Sequence, residues 1–134
     1  MMQLLSNFHV ALHAPALRQL LRPCAELSAG EFTEDDLVDA GIENRLFFFT
    51  DDKTTAVLVV DIVQYFQKKA AWILAMSGKA TRLYADKPVF DKWAEQMGCA
   101  EVRCCCMKKQ ARAFARHGFV PLYGVYSYEL GGVK

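Results

Sequence analysis

Ala56-Val57-Leu58-Val59-Val60-Asp61-Ile62-Val63 and Ala71-Trp72-Ile73-Leu74-Ala75-Met76, separated by a Gln67-Lys68-Lys69 turn, set the architecture of this chain. Each run is apolar at odd and even positions alike, so each strand has both faces covered. The turn is too short for a crossover, which makes the two strands antiparallel neighbours. Upstream, Leu46-Phe47-Phe48-Phe49 reads as another strand and Asp51-Asp52-Lys53 as its turn, completing an antiparallel meander. Of the three phenylalanines, two must share one face.

Downstream of Ser77-Gly78 the period changes. Leu83, Val89, Phe90, Trp93, Ala94 and Met97 recur at helical spacing, with Gly98 as the stop and Pro88 implying a break near Lys87. A strand over residues 102–107, parallel to the third meander strand, a helix over 108–117 ended by Gly118, and a last strand over 119–130 follow. Toward the N-terminus, residues 8–13 read as a short strand. Pro15 opens a helix carrying Leu17, Leu20, Leu21, Cys24 and Leu27, ended by Gly30. Thr33 before Glu34-Asp35-Asp36 is an N-cap with an acidic first turn, and Gly41 reads as that helix's stop. A helix between two apolar strands points to one α/β domain over residues 1–134, with a mixed, mostly antiparallel sheet flanked by helices.

Composition agrees. The 134 residues are 53% hydrophobic and 23% charged, which excludes a disordered chain. Sixteen basic against fifteen acidic residues leave +1, so no global charge favours nucleic acid or an anionic membrane. No apolar run approaches the roughly 18–20 residues of a membrane span, and the start lacks a secretory pattern. Five cysteines include three in a row, Cys104, Cys105 and Cys106. Strand alternation puts Cys104 and Cys106 on one face, and no C-x-x-C pair exists, so the reading is reduced thiols, no metal site and a cytoplasmic location. No histidine stands beside them in sequence to make a nucleophile.

Gly78, between a strand and a helix, has two readings. A helix's first N–H groups point at an anion, with Lys79 and Arg82 adding charge; otherwise it is a tight turn. The order of elements favours the first, because it resembles the GNAT superfamily, the acyl-CoA-dependent N-acetyltransferases, over roughly residues 8–130. Residues 93–102 resemble that family's third helix running into its fifth strand. Residues 110–119, with Ala111, Gly118 and Phe119, resemble its A-x-x-L-Y-x-x-x-G-F helix. The resemblance implies acetyl-CoA as cofactor and an amine acceptor of unstated identity. It implies a splay between the third meander strand and the strand after it, which admits the pantetheine arm. It places the pyrophosphate on Met76, Ser77, Gly78, Lys79, Ala80, Thr81 and Arg82. More loosely, the double Met and Ser77-Gly78-Lys79-Ala80 resemble acyltransferase-like proteins of podovirus-type bacteriophages, which would place the chain in host cytoplasm or a virion.

Three positions depart from the family pattern. Ala75 stands where its Gln or Arg contacts the pyrophosphate, Phe114 where its Tyr protonates the leaving thiolate, and Met107 where an Asn touches the cofactor. Candidate bases are Asp61, His117 and Glu43. Asp61 is the most unusual, since desolvation in an apolar strand would raise its pKa; the alternative is a solvated edge or a lysine partner. His117 also suits a helix C-terminus. Arg103, Lys108, Lys109, Arg112 and Arg116 form a local basic cluster: a solvated face, a contact for the cofactor phosphates, or a contact for an acidic partner. Tyr123, Tyr126 and Tyr128 read mostly as core, any exposed remainder suiting a protein partner or homodimer. Two functions therefore stand: an N-acyltransferase acting by direct amine attack on a thioester, or an inactive GNAT-like binding or structural module.

Overall fold

The computed structural model describes residues 2–78, 86–105 and 111–130. Five strands lie in sequence order across one sheet: β1 (Gln3–Leu4), β2 (Phe47–Thr50), β3 (Ala56–Gln64), β4 (Lys69–Gly78) and β5 (Cys99–Cys104). The first four pair antiparallel, and β5 runs parallel to β4. Helices α1 (Asn7–Leu12), α2 (Ala14–Glu26) and α3 (Glu34–Ile42) precede β2, α4 (Lys87–Gln96) precedes β5, and α5 (Ala111–Arg116) follows it. This is the mixed α/β architecture expected, with the meander and the parallel fifth strand in place. Among the described residues, no helix is long and apolar enough to cross a membrane.

Alternation along the strands sorts the core into two layers. Phe48, Val57, Val59 and Ala75 meet Val10, Leu17, Leu21, Leu37 and Val38 of α1–α3. Phe49, Leu58, Val60, Ala71 and Ile73 meet Phe90 and Ala94 of α4. Phe47 and Phe49 thus share a face, where Trp93 stands edge-on to both at 5.1 and 4.9 Å. Val57, Leu58, Val59 and Val60 have no exposed surface. Burying each such side chain stabilises the fold by about 1.5–3 kcal/mol.

Several local expectations change. Residues 8–12 are helical, with His13 as the C-cap, because Ser6 caps the start of α1, its Oγ accepting the His9 N–H at 3.2 Å. β5 begins directly after Gly98, three residues earlier than periodicity indicates, and Gly98 holds φ +83. Pro88 sits in the first turn of α4, where its missing N–H costs nothing. The expected last strand is not formed. Residues 119–130 make no ladder, Pro121 lacks a donor, Gly124 weakens an extended segment, and Tyr126 is 97% exposed. Tyr123, Tyr126 and Tyr128 are therefore surface residues rather than core.

Two turns are fixed by side chains. The Thr33 hydroxyl accepts the Asp36 N–H at 3.1 Å while the Asp36 carboxylate accepts the Thr33 N–H at 2.8 Å, the expected capping box. Asp51 accepts the N–H groups of Thr55 and Ala56 at 2.7 and 3.0 Å and the Thr55 hydroxyl. Burial alone would raise the Asp51 carboxyl, but these hydrogen bonds outweigh it and hold it below its ordinary value.

Gly41 is not a helix stop: α3 runs on through Ile42. A Cβ there would lie 2.7 Å from Cε1 of Phe48, a ring with no exposed surface and no room to move. Gly41→Ala is therefore expected to destabilise the protein by about 1–3 kcal/mol in urea unfolding, since overpacking outweighs helix propensity. A gain of about 1 kcal/mol, the propensity difference alone, would contradict the packing account.

Candidate active site

Two irregularities of β4 coincide. Its register with β3 runs Val59↔Ala75 and then Val60↔Ile73, leaving Leu74 bulged with no cross-strand partner. On the other side, the ladder to β5 ends at Ile73↔Cys104. Residues 74–78 therefore keep β3 on one flank and, among the described residues, have no ladder partner on the other. The result is a fork with a bulge at its vertex. Backbone amides and carbonyls along such an edge offer hydrogen bonds to an extended ligand.

Asp61 approaches this vertex from the α1–α3 side. It is half-buried on β3, directly opposite Trp72, which is itself opposite Arg103. Strand dimensions put its backbone about 8 Å from Leu74. It makes no ion pair among the described residues. Burial pushes its carboxyl above the ordinary 3.8, partly offset by the Ile62 backbone N–H. The direction agrees with partial desolvation in an apolar strand, and among the described residues no lysine pairs with Asp61.

Arg103 takes a different role from the one its neighbours in sequence imply. Alternation turns it onto the α1–α3 face, opposite to Val102 and Cys104. Its guanidinium carbon lies 4.5 Å from the Tyr65 ring centre, 5.8 Å from Trp72 and 5.9 Å from Tyr123. Nε and Nη2 donate to one Glu101 oxygen at 2.9 and 2.7 Å, and Nη1 donates to the Tyr65 and Tyr123 hydroxyls at 3.3 Å. Lys68 reaches the same Glu101 oxygen at 2.9 Å. The hydrogen bonds from Lys68 and Arg103 hold the Glu101 carboxyl below 4.5. The Trp72 indole N–H donates to the Tyr65 hydroxyl at 2.8 Å. Sequence reading missed this assembly by grouping Arg103 with the basic run after it. The available signal was a charged residue inside a half-apolar strand, the same signal that singled out Asp61.

The expected cofactor loop is covered only in part. The Met76 carbonyl accepts the Cys24 thiol at 3.4 Å and the Ser77 hydroxyl donates to the Leu20 carbonyl at 2.5 Å, tying the end of β4 to α2. Gly78 holds φ +73, and a Cβ there would lie 2.0 Å from the Thr55 carbonyl oxygen, so the chain requires glycine with or without a ligand. Lys79, Ala80, Thr81 and Arg82 lie outside the described residues, as do Cys106, Met107, Lys108 and Lys109.

The other candidates are not brought to the vertex. Glu43 is exposed at the end of α3 and pairs with Arg45 at 3.3 Å. His117 follows α5, and Phe119, two residues on, packs in the α4-side layer, opposite the face of Asp61. Phe114 stands edge-on to Phe119 at 5.2 Å. Arg112 and Arg116 are exposed. Cys24, Cys99, Cys104 and Cys105 lie outside any disulfide, and burial pushes the Cys99 thiol up, against the nearby Lys69 charge.

No protein-family model and no curated protein matches the chain. Solved structures do. An aminoglycoside acetyltransferase from an uncultured soil metagenomic sample, in complex with sisomicin, superposes with TM-score 0.69 at 16% identity, over 97% of this chain and 95% of that one. Glucosamine-6-phosphate N-acetyltransferase from Arabidopsis thaliana gives 0.64 at 15%, over 96% and 98%. A GCN5-related N-acetyltransferase from Ralstonia eutropha gives 0.67 at 14%, over 98% and 99%. The chain has the GNAT acetyltransferase fold.

Two substitutions test the site's physics. For Asp61 the folded pKa is raised, so the folded protein binds more protons than the unfolded one just above pH 3.8, and stability falls as pH rises through that window. Asp61→Asn should therefore raise Tm at pH 7, with the gain vanishing below about pH 4. An unchanged or lower Tm at pH 7 would mean that Asp61 has a stabilising partner. Gly78→Ala should cost about 2–4 kcal/mol in denaturant unfolding without any ligand. A neutral result would release Gly78 from its contact with Thr55.

Proposed function

We propose that this chain is an acyl-CoA-dependent N-acyltransferase of the GNAT superfamily that moves an acetyl group from acetyl-CoA to an amine. The observation that carries the reading is the fork: β4 leaves β5 next to the residue where it bulges, with a carboxylate beside the vertex that makes no ion pair among the described residues. The open backbone of residues 74–78 suits the amide-bearing pantetheine arm. Ser77, Gly78, Lys79, Ala80, Thr81 and Arg82, with Met76 before them, suit the pyrophosphate, through backbone N–H groups where Ala75 supplies no side-chain contact.

The reaction is a direct transfer. The amine nitrogen bonds to the thioester carbonyl carbon, the carbon–sulfur bond breaks, and an amide and the CoA thiolate result. An amine that arrives as an ammonium first gives one proton to water; the nitrogen becomes acidic again once bonded to that carbon, and Asp61 takes the second proton. Burial helps, because a raised pKa makes the carboxylate a better base. Phe114 has no proton to give, so the thiolate takes one from water. His117 is the weaker candidate for a proton role, since the chain around it packs on the other face.

Phe114 also favours a second reading, a GNAT-like module that binds acyl-CoA or a protein without turnover; the phage resemblance extends this to a virion or host-interaction role. Calorimetric titration with acetyl-CoA and an assay of thiol release with mixed amines decide between them. Saturable 1:1 binding with turnover is expected. Asp61→Asn should lower turnover on the order of a hundred- to ten-thousand-fold while acetyl-CoA affinity stays within twofold. Binding without turnover, in wild type and Phe114→Tyr alike, would favour the module. Absence of acetyl-CoA binding would sink the transferase reading.

A further inference from the structure

Resting on the acyl-transfer reading, we propose that the acceptor is a primary amine with one cationic centre on a flat, uncharged body, its ammonium at Asp61 and its body over Trp72. The row Asp61–Trp72–Arg103 crosses three strands on one face, past the part of the sheet that α1–α3 cover. The neighbours of Asp61 toward β4 on that face are apolar or aromatic. Trp72 is its direct cross-strand neighbour, and Val63, two residues along β3, stands opposite Ala70. A cross-strand neighbour lies about 5 Å away between Cβ atoms, within reach of a body attached to an amine held at Asp61.

Charge sets the second half of the argument. Asp61 has no counter-charge among the described residues, so a ligand ammonium supplies the one that is missing. Beyond Trp72 stands the opposite sign. Lys68, Glu101 and Arg103 sum to +1, about 10 Å from Asp61 by strand spacing. The Arg103 side chain is only 11% exposed, and its guanidinium is fixed by Glu101, Tyr65 and Tyr123. A second cation on the acceptor would reach across Trp72 into that positive group. A polar body would leave its hydroxyls against Trp72 and Val63 without partners. The fold's likeness to an aminoglycoside acetyltransferase therefore does not carry over to a polycationic acceptor here.

Three probes decide the matter on the full chain: 2-phenylethylamine (one cation, flat body), spermidine (several cations, no flat body) and glucosamine (one cation, polar body). Binding is read by calorimetry and by tryptophan fluorescence, with acetyl-CoA titrated separately in the same preparation. 2-Phenylethylamine is expected to saturate and to bind at least tenfold more tightly than the other two. Asp61→Asn, with its fold checked by circular dichroism, should weaken it tenfold or more. Trp72→Phe should abolish the fluorescence change while calorimetry still reports binding. Spermidine or glucosamine binding as tightly as 2-phenylethylamine, or an Asp61→Asn protein with unchanged affinity, overturns the acceptor class even if acetyl-CoA binds. Binding of 2-phenylethylamine without acetyl-CoA binding upholds the amine site and removes the transfer reading.

Discussion

The pairing of β3 with β4, and the single slip within it, is the constraint on which the rest of the molecule depends. Nine residues of β3 and ten of β4 form the longest ladder in the sheet, and both layers of the core are built on it. Side chains alternate along a strand, so two residues of the same parity ordinarily share a face. Ile73 and Ala75 do not. Ile73 belongs to the α4 layer and Ala75 to the α1–α3 layer, because the bulge at Leu74 flips the register between them. Without the slip, Ala75 and Ser77 would turn away from α2, and the Ser77 bond to Leu20 could not form. Local packing and the opening of the fork thus have one origin.

That slip was not visible in the sequence, and its invisibility has a physical cause. Leu74 is apolar like its neighbours, so composition gives no sign that the pairing skips it; a bulge is a property of two strands together. The meander, the capping box at Thr33 and the helix over Trp93 and Ala94 were legible because each rests on local chemistry or on a strong period. Residues 119–130 misled for the opposite reason. Val120, Leu122, Tyr126 and Tyr128 have strand propensity, yet a strand exists only where another strand accepts its hydrogen bonds. Residues 8–13 misled because a short amphipathic helix with one buried residue, Val10, has too little period to recognise. Of the site, Asp61 was legible as a charge in an apolar run, whereas its relation to Trp72 and Arg103 required the register.

Two charged residues in one cross-strand row show how differently a fold can treat burial. Arg103 is surrounded: a carboxylate takes two of its N–H groups, two phenols take others, and three aromatic rings lie within 6 Å. A half-buried guanidinium held this way has its charge compensated inside the chain, and it fixes Tyr65, Trp72 and Tyr123 relative to one another. Asp61 has the opposite setting: it stands one strand away from that indole and, among the described residues, the Ile62 backbone N–H is what favours its charged form.

Stability alone would place an apolar or a paired residue at position 61, since an unpaired carboxylate leaving water is destabilising and a valine would continue the run of β3. Retaining the carboxylate there costs stability at neutral pH and yields a group whose proton affinity is raised and which has no counter-charge among the described residues. The fork and its bulge lie about two residues along the sheet from that group, on a strand whose backbone has no ladder partner among the described residues on the side facing away from β3. A donor held in extended form along the edge of β4 and a cation held at Asp61 would meet at the vertex. The Arg103 assembly rigidifies the aromatic wall beside Asp61 and sets a positive group on its far side.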